Sequence, residues 1–376
     1  MKFLHTSDLH LGKTVHDFSM LEDQRFLLNQ IAGIARAEQA DAVVVAGDVY
    51  DRSIPPAQAV MLLNGFLEEM VAAHIPVLLI SGNHDSPERL SFAQKALQKS
   101  GIYIAGGLDE PVRQVTLTDD LGPVHFFLMP FFKPAVEGEK TSEEAVRQVL
   151  SRAGLLEPRK ERCVLVTHFF VTAGGQTPEL SEAETSVDVG GIDNVDASLF
   201  AAFDYTALGH IHKAQRIGGE NICYSGAPAA YSFSEAGANK SVRLVTLGEK
   251  GEIKTEERIL HPLHRMRMVE GAFRELMQQG VGELEREDYV QIRLTDREEL
   301  IDPIGQLRSV YPNVMQLVFT GREGRETGGY VPQNGHRQKS VPEMFACFYE
   351  AVREEPIDSG RAALIEQAVK DLVKED

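Results

Sequence analysis

Five short polar clusters in the first 212 residues carry side chains that bind hard metal ions. They are Asp8-Leu9-His10, Gly47-Asp48-Val49-Tyr50-Asp51, Gly82-Asn83-His84-Asp85, Thr167-His168 and Gly209-His210-Ile211-His212. Carboxylates, imidazoles and an amide can together hold two divalent ions, which activate water and clamp a phosphate in line. Each cluster follows an apolar run, so each is expected to end a buried strand. Asp8 and His10 are two apart, as are His210 and His212, a spacing that lets both side chains point the same way where a strand ends. Asp48 follows the strongest apolar strand, a good position for a carboxylate that bridges two ions. Asn83 offers a neutral oxygen, and Gly82 beside it lets the backbone turn sharply. His168 ends another buried strand. His84 follows Asn83 in a turn and is expected to face the substrate, where it could stabilise charge on a phosphate or protonate the leaving oxygen. Either Asp51 or Asp85 could hold its second ring nitrogen.

Each residue also has a bland explanation. An Asp after a strand is most often a turn residue or a helix cap. A lone histidine is usually a surface or satisfied core residue, and His5, His16, His74, His125, His261, His264 and His336 take that reading. For the clusters, the bland account would have to hold at five successive strand ends at once.

The elements that must position these residues follow from the apolar pattern. Phe26 to Ala37 and Ala57 to Ala73 have helical spacing, the second preceded by Pro55-Pro56. Ala42 to Ala46 and Val77 to Ile80 are short apolar runs, which predicts strands buried on both faces in a mixed sheet. Val124 to Met129, Val164 to Val166, Tyr205 to Leu208, Ile222 to Tyr224 and Val242 to Leu247 are expected to form a second sheet. Two packed sheets with flanking helices make an α/β sandwich. Residues 1–260 are expected to form this domain. Residues 261–320 are expected to form a small α+β domain near the site opening, with strands at Arg267 to Glu270, Tyr289 to Leu294 and Met315 to Phe319 and helices at Ala272 to Gln279 and Ile304 to Val310. Residues 321–340, rich in Gly, Arg and Gln, read as a linker. Residues 341–376 hold two amphipathic stretches, with Phe345, Phe348 and Val352 on one face and Leu364, Ile365, Ala368, Val369 and Leu372 on the other. Pro356 and Gly360 break the chain between them. This segment is expected to dock onto a partner.

At 376 residues the chain can bury a large core, and 43% apolar with 25% charged residues is ordinary for a globular protein. No apolar run reaches the ~18 residues of a membrane span. Met1 to His5 run straight into the Asp8 cluster, so no removable signal peptide is expected. The cysteines, Cys163, Cys223 and Cys347, are far apart and odd in number, which disfavours a disulfide framework or a cysteine zinc site. The chain reads as cytoplasmic. Its formal charge of −18 argues against bulk electrostatic capture of nucleic acid. It does not exclude a nuclease, because bound cations reverse the local sign and a basic partner can supply the phosphate-tracking surface.

The set D-x-H, G-D-x-x-D, G-N-H-D, H and G-H-x-H resembles the calcineurin-like metallophosphoesterases. That resemblance implies a four-layer α/β sandwich around two divalent metal ions. Asp8, His10, Asp48 and His212 would hold one ion, Asp48, Asn83, His168 and His210 the other, and His84 would be the catalytic histidine. Longer stretches are similar to the SbcD-type nuclease subunits: His5 to Gly12, Gly47 to Arg52, Ser81 to Ser86, Leu208 to His212, Tyr224 to Pro228 and His261-Pro262-Leu263. This resemblance implies a metal-dependent exo- and endonuclease acting on DNA ends and hairpins. Its capping domain, its C-terminal docking helices and its SbcC-type coiled-coil ATPase partner would come with it. A homodimer would form through helices drawn here from Ala57 to Ala73 and Pro87 to Lys99. Manganese is the favoured ion, with magnesium the alternative. The rival readings are a phosphoesterase acting on small-molecule or protein phosphoesters, and a non-enzymatic scaffold on the same fold.

Overall fold

The computed structural model describes residues 1–108, 112–134, 141–184, 194–279, 282, 285–321, 345, 349, 358 and 360–362. The chain divides into two compact units, Met1–Thr320 and Gly321–Asp376.

The first unit begins with strand β1 (Lys2–Thr6), a short hairpin of β2 (Thr14–Val15) and β3 (Phe18–Ser19), and helix α1 (Leu21–Ala37). Strand β4 (Ala42–Ala46), helix α2 (Ala57–Ala72), strand β5 (Val77–Ile80), the single turns α3 (Pro87–Leu90) and α4 (Gln94–Leu97), and strand β6 (Ile102–Ala105) follow. Then come β7 (Arg113–Asp119), β8 (Gly122–Met129), α5 (Ser142–Arg152), β9 (Arg162–Thr167), β10 (Phe170–Thr172) and β11 (Asn194–Asp196). The sandwich closes with β12 (Tyr205–Leu208), β13 (Gln215–Arg216), β14 (Ile222–Tyr224), β15 (Lys240–Leu247) and β16 (Ile253–Leu260).

These strands form two six-stranded sheets, ordered β16-β15-β1-β4-β5-β6 and β13-β14-β12-β9-β8-β7. Within the first, β1, β4, β5 and β6 are parallel; within the second, β8, β9, β12 and β14 are. Alternation along each strand sorts side chains into layers. Phe3, Val44, Leu78, Phe126, Leu128, Val164 and Val166 meet between the sheets. Leu4, Val43, Val45 and Leu79 face outward onto α1 and α2, and Phe127 and Leu165 face outward onto α5. The result is a four-layer α/β sandwich with apolar layers above, between and below the sheets.

One strand differs from the sequence expectation. Val242 to Leu247 lies in the first sheet, antiparallel to β1 with Phe3 opposite Val245, and not in the second. A strand's own pattern specifies burial, but its neighbour is chosen by where the chain returns. Here the return also ties down the amino terminus, whose ammonium bonds the Leu247 carbonyl at 2.8 Å.

After the sandwich, β17 (Met266–Gly271), α6 (Phe273–Gln279), β18 (Tyr289–Leu294), α7 (Pro303–Leu307) and β19 (Val314–Phe319) form a parallel three-stranded sheet. It has its own apolar cluster around Leu276, Val290, Ile292, Leu307 and Val314. Met266, Tyr289 and Met315 also pack into the layer containing Val15 and Met20. There the buried Asp23 carboxylate, in the first turn of α1, accepts bonds from the Tyr289 hydroxyl at 2.7 Å and the His264 backbone N–H at 3.1 Å.

In the second unit the described residues include Phe345 and Tyr349, both helical, and a helical turn at residues 360–362. The Asp358 carboxylate caps that turn, accepting from the N–H groups of Gly360 and Arg361 at 3.0 Å. Gly360 therefore sits in the first turn of a helix rather than breaking the chain, because Asp358 supplies the cap. Most of the two expected amphipathic faces, and nearly all of the expected linker, lie outside the described residues.

Candidate metal centre

All five clusters come together at the carboxyl ends of parallel strands. Asp8 and His10 follow β1, Asp48 follows β4, Asn83 and His84 follow β5, His168 follows β9, and His210 and His212 follow β12. Two of the loops zip together beyond the first sheet. Asp8 N–H donates to the Gly47 carbonyl at 3.0 Å and His10 N–H to the Asp48 carbonyl at 2.9 Å. This sets both residues beside Asp48. Asp85 does the same for the next loop: its carboxylate accepts from the N–H groups of Val49 at 3.0 Å, Tyr50 at 2.8 Å and Gly82 at 2.9 Å.

The aim of these side chains carries a backbone cost. Asp8, His10, Asp48 and His210 have φ of 53°, 43°, 49° and 96°. Left-handed backbone at non-glycine residues costs ~1–3 kcal/mol each and persists only where the surroundings enforce it. Two glycines show how tightly they do. A Cβ on Gly82 would lie 2.1 Å from Asp48 Oδ1, and one on Gly209 would lie 1.9 Å from the Ala46 carbonyl oxygen.

The donor atoms form two lobes around one carboxylate. In one, His10 Nε2 and His212 Nε2 are 3.1 Å apart, and Asp8, His10 and His212 could hold an ion together. In the other, Asn83 Oδ1 lies 3.0 Å from both His168 Nε2 and His210 Nδ1. Asp48 Oδ2 lies between, 3.3 Å from His168 Nε2 and 3.7 Å from His10 Nε2. The mixture of carboxylate, amide and imidazole suits divalent ions that accept both oxygen and nitrogen. The same rings turn Nδ1 outward, His10 Nδ1 to 3.6 Å from Asp51 Oδ1 and His212 Nδ1 to 3.9 Å from Glu235 Oε1, which leaves Nε2 for the centre. By this donor set the residues fit a two-ion site. His168 donates from Nδ1 to the Ala46 carbonyl at 2.8 Å, which turns Nε2 to the centre.

His84 differs from these buried residues. Its side chain is 40% exposed and its Nε2 is 4.0 Å from Asp48 Oδ2. The Asp51 main-chain carbonyl, 2.9 Å from Nδ1, holds the second nitrogen. Neither candidate carboxylate does so: Asp85 is committed to three backbone N–H groups, and Asp51 Oδ1 takes the Lys13 ammonium at 2.7 Å. A carbonyl only accepts, so Nδ1 carries the proton and Nε2 faces the site.

Burial and neighbouring charge set the protonation states. Burial pushes the Asp48 carboxyl up, but His168, His10 and His84 more than reverse this and hold it well below the usual carboxylate range. Burial pushes His168 down, but the Asp48 and Asp8 charges raise it to about 9. Burial raises Asp8 to about 6 against the opposing pull of His168 and His212. Burial lowers His10 well below the ordinary range and, with His168 nearby, takes His210 to about 3. Burial pushes His212 down, but Glu235, Asp8 and Glu184 raise it. His168 thus keeps its proton beside Asp48, and His212 is shifted the same way.

Several residues that support this site escaped the sequence reading. The His212 N–H donates to Glu184, and His212 Nδ1 lies 3.9 Å from Glu235, which pairs with Lys240. Gln24 and Tyr231 bond the loop that carries His10. None of them sits in a polar cluster after a strand, so only the fold brings them in.

The model of the calcineurin-like phosphoesterase family matches residues 1–214, and that of the type 5 capsule protein repressor C-terminal domain matches residues 262–353. The SbcD chain of the SbcCD nuclease from Staphylococcus epidermidis is 32% identical over 359 residues, 92% of this chain and 92% of that one. Its counterpart of the same name from Staphylococcus saprophyticus is 31% identical, over 100% of this chain and 99% of that one. Among solved structures, a dimetal phosphatase from Danio rerio has a TM-score of 0.43 at 13% identity, over 69% of this chain and 96% of that one.

An ion held at His168 Nε2 would need that nitrogen neutral, so binding there would expel the proton that Asp48 holds. Titrating the metal-free protein with a divalent ion at about pH 7.5 should release about one proton from His168, with His212 adding to it, and the affinity should rise with pH up to about 9. Below about pH 6, protonation of Asp8 should steepen the loss. Calorimetry in buffers of different ionisation enthalpy measures the release. A binding heat independent of the buffer would contradict it.

Proposed function

The chain belongs to the calcineurin-like phosphoesterase family, in its SbcCD-type nuclease branch, and from that premise we propose how its residues divide the work of cutting DNA. It is a metal-dependent phosphodiesterase and the nuclease subunit of an SbcCD-type complex. The observation that carries the reading of the site is Asp48 Oδ2, which lies between the His10–His212 lobe and the His168–Asn83–His210 lobe.

Asp8, His10, Asp48 and His212 hold one divalent ion; Asp48, Asn83, His168 and His210 hold the other. The ions are manganese, which accepts this mixed oxygen and nitrogen set, with magnesium the alternative. When bound, they supply an activated water and stabilise charge on the phosphate in an in-line displacement. The residues of the chain do the rest. His10 and His210 enter neutral, because burial keeps protons off them. His84, anchored through Nδ1 on the Asp51 carbonyl, presents Nε2 to the scissile phosphate. Protonated at Nε2 as well, the ring donates that N–H to the phosphate, and the same proton passes to the leaving oxygen.

The division into a nuclease domain (1–260), a capping domain (261–320), a linker (321–340) and a docking segment (341–376) is part of this proposal. So is a homodimer. Val60 and Met61 on α2 are 44% and 73% exposed, and Ile54 and Phe92 are 67% and 80% exposed, apolar side chains in or beside the two segments that would pair. The acidic chain needs help to hold DNA, and an SbcC-type ATPase docked on the tail would supply it. Among the described residues no helix is long and apolar enough to cross a membrane.

Two substitutions separate ligand from proton donor. Asp48→Ala should abolish Mn2+-dependent cleavage of DNA and lose at least one bound ion, whereas His84→Gln should keep both ions and lose turnover by a factor of about 10²–10⁴. Metal analysis and an oligonucleotide cleavage assay, run beside a nucleotide monophosphoester, read both. Full activity with both ions in Asp48→Ala would sink the bridging role. Loss of metal from His84→Gln would make it a ligand.

Short helices are marginal alone in water and need a surface to cover. Deleting everything after Ser340 should leave metal-dependent cleavage of single-stranded DNA intact. It should abolish binding to the ATPase and the ATP-stimulated cutting of duplex DNA. A pull-down in which the shortened chain still binds the ATPase would place the docking surface elsewhere.

A further inference from the structure

We propose that Gln24 is a positioning residue for His10, holding the loop after β1 in the left-handed backbone that aims the imidazole. This rests on the reading of His10 as a metal ligand. Gln24 lies in the first turn of α1 and is only 3% exposed. Its partners fix which way the amide points. The Gly12 N–H can only donate, so the atom 2.9 Å away is the oxygen. The Leu9 and His10 carbonyls can only accept, so the atom 3.3 and 2.7 Å from them is the nitrogen. That nitrogen also reaches the Tyr231 hydroxyl at 3.0 Å, and the hydroxyl in turn donates to the Leu9 carbonyl.

One buried amide therefore meets the main chain of Leu9, His10 and Gly12, the segment where His10 has φ 43° and Gly12 φ 90°. On the other side, the His10 N–H is held by the Asp48 carbonyl at 2.9 Å. With its main chain pinned from both sides, His10 presents its ring to His212 and Asp48. The helix turn is itself anchored, because the neighbouring Asp23 bonds Tyr289 and His264 of the segment that follows the sandwich. Along the rest of this face α1 buries Leu27, Leu28 and Ile31. An amide there is unfavourable unless fully bonded. The bonds it makes are all to the ligand loop and the hydroxyl that supports it.

Gln24→Met keeps length and bulk and removes the amide. Titration of the full-length protein with Mn2+ by calorimetry should show one binding event weakened about 10- to 100-fold and the other unchanged. On a single-stranded oligonucleotide at limiting Mn2+, kcat should fall with KM for DNA unchanged, and excess Mn2+ should restore it. His10→Ala is the control: it should lose one event outright, beyond rescue by Mn2+. Unchanged Mn2+ affinities in Gln24→Met beside a His10→Ala that loses an ion would overturn the positioning role, whatever happens to thermal stability. A His10→Ala that keeps both events at native affinity would overturn the ligand reading instead. Should Gln24→Met fail to fold, Tyr231→Phe, which removes only the hydroxyl, must show a smaller weakening of the same event, and unchanged affinity there counts equally against the proposal.

Discussion

Everything in this molecule depends on how closely two separate sheets approach at one end. Asp48 follows a strand of the first sheet and His168 a strand of the second, yet their donor atoms are 3.3 Å apart. Side chains normally hold packed sheets about 10 Å apart. The gap narrows here because Gly209, after β12 of the second sheet, has no Cβ to strike the Ala46 carbonyl of the first. Away from the strand ends the space between the sheets is filled by the apolar layer of Phe3, Val44, Phe126 and Val164.

That convergence explains the electrostatics. Acidic and imidazole groups lie together out of water, where an unpaired charge is costly. The metal-free protein answers by pairing: Asp48 stays ionised, and His168 carries the balancing proton. A site arranged this way already expects positive charge at its centre. The same fact reconciles a formal charge of −18 with a phosphate substrate, since local sign at the centre is set by bound cations rather than by the whole surface.

The backbone around the centre carries strain that neighbouring groups enforce. Asp85 commits its carboxylate to three N–H groups, and Gln24 commits its amide to the His10 loop. Neither touches the centre, but both hold main chain that would otherwise relax. The carboxylate of Asp85 could therefore not also orient His84, and a main-chain carbonyl does that work.

The order of apolar runs and polar clusters was enough to place Asp8, His10, Asp48, Asn83, His168, His210 and His212 at strand ends. The reason is local: a strand end is where buried periodicity stops and a functional side chain can begin. The same local signal found β17, β18 and β19 and the helices between them. It did not place Val242 to Leu247 in the right sheet, because pairing joins residues more than two hundred positions apart and each strand's pattern fits either sheet. Nor could it find Gln24, Tyr231, Glu184 or Glu235. Gln24 lies in a helix, and the others lie in segments without a strand-end cluster. Their roles exist only through bonds to distant main chain. Which residues can bind an ion is a property of side-chain chemistry, written in the sequence; which residues hold them in place is a property of contact, and only the folded chain decides it.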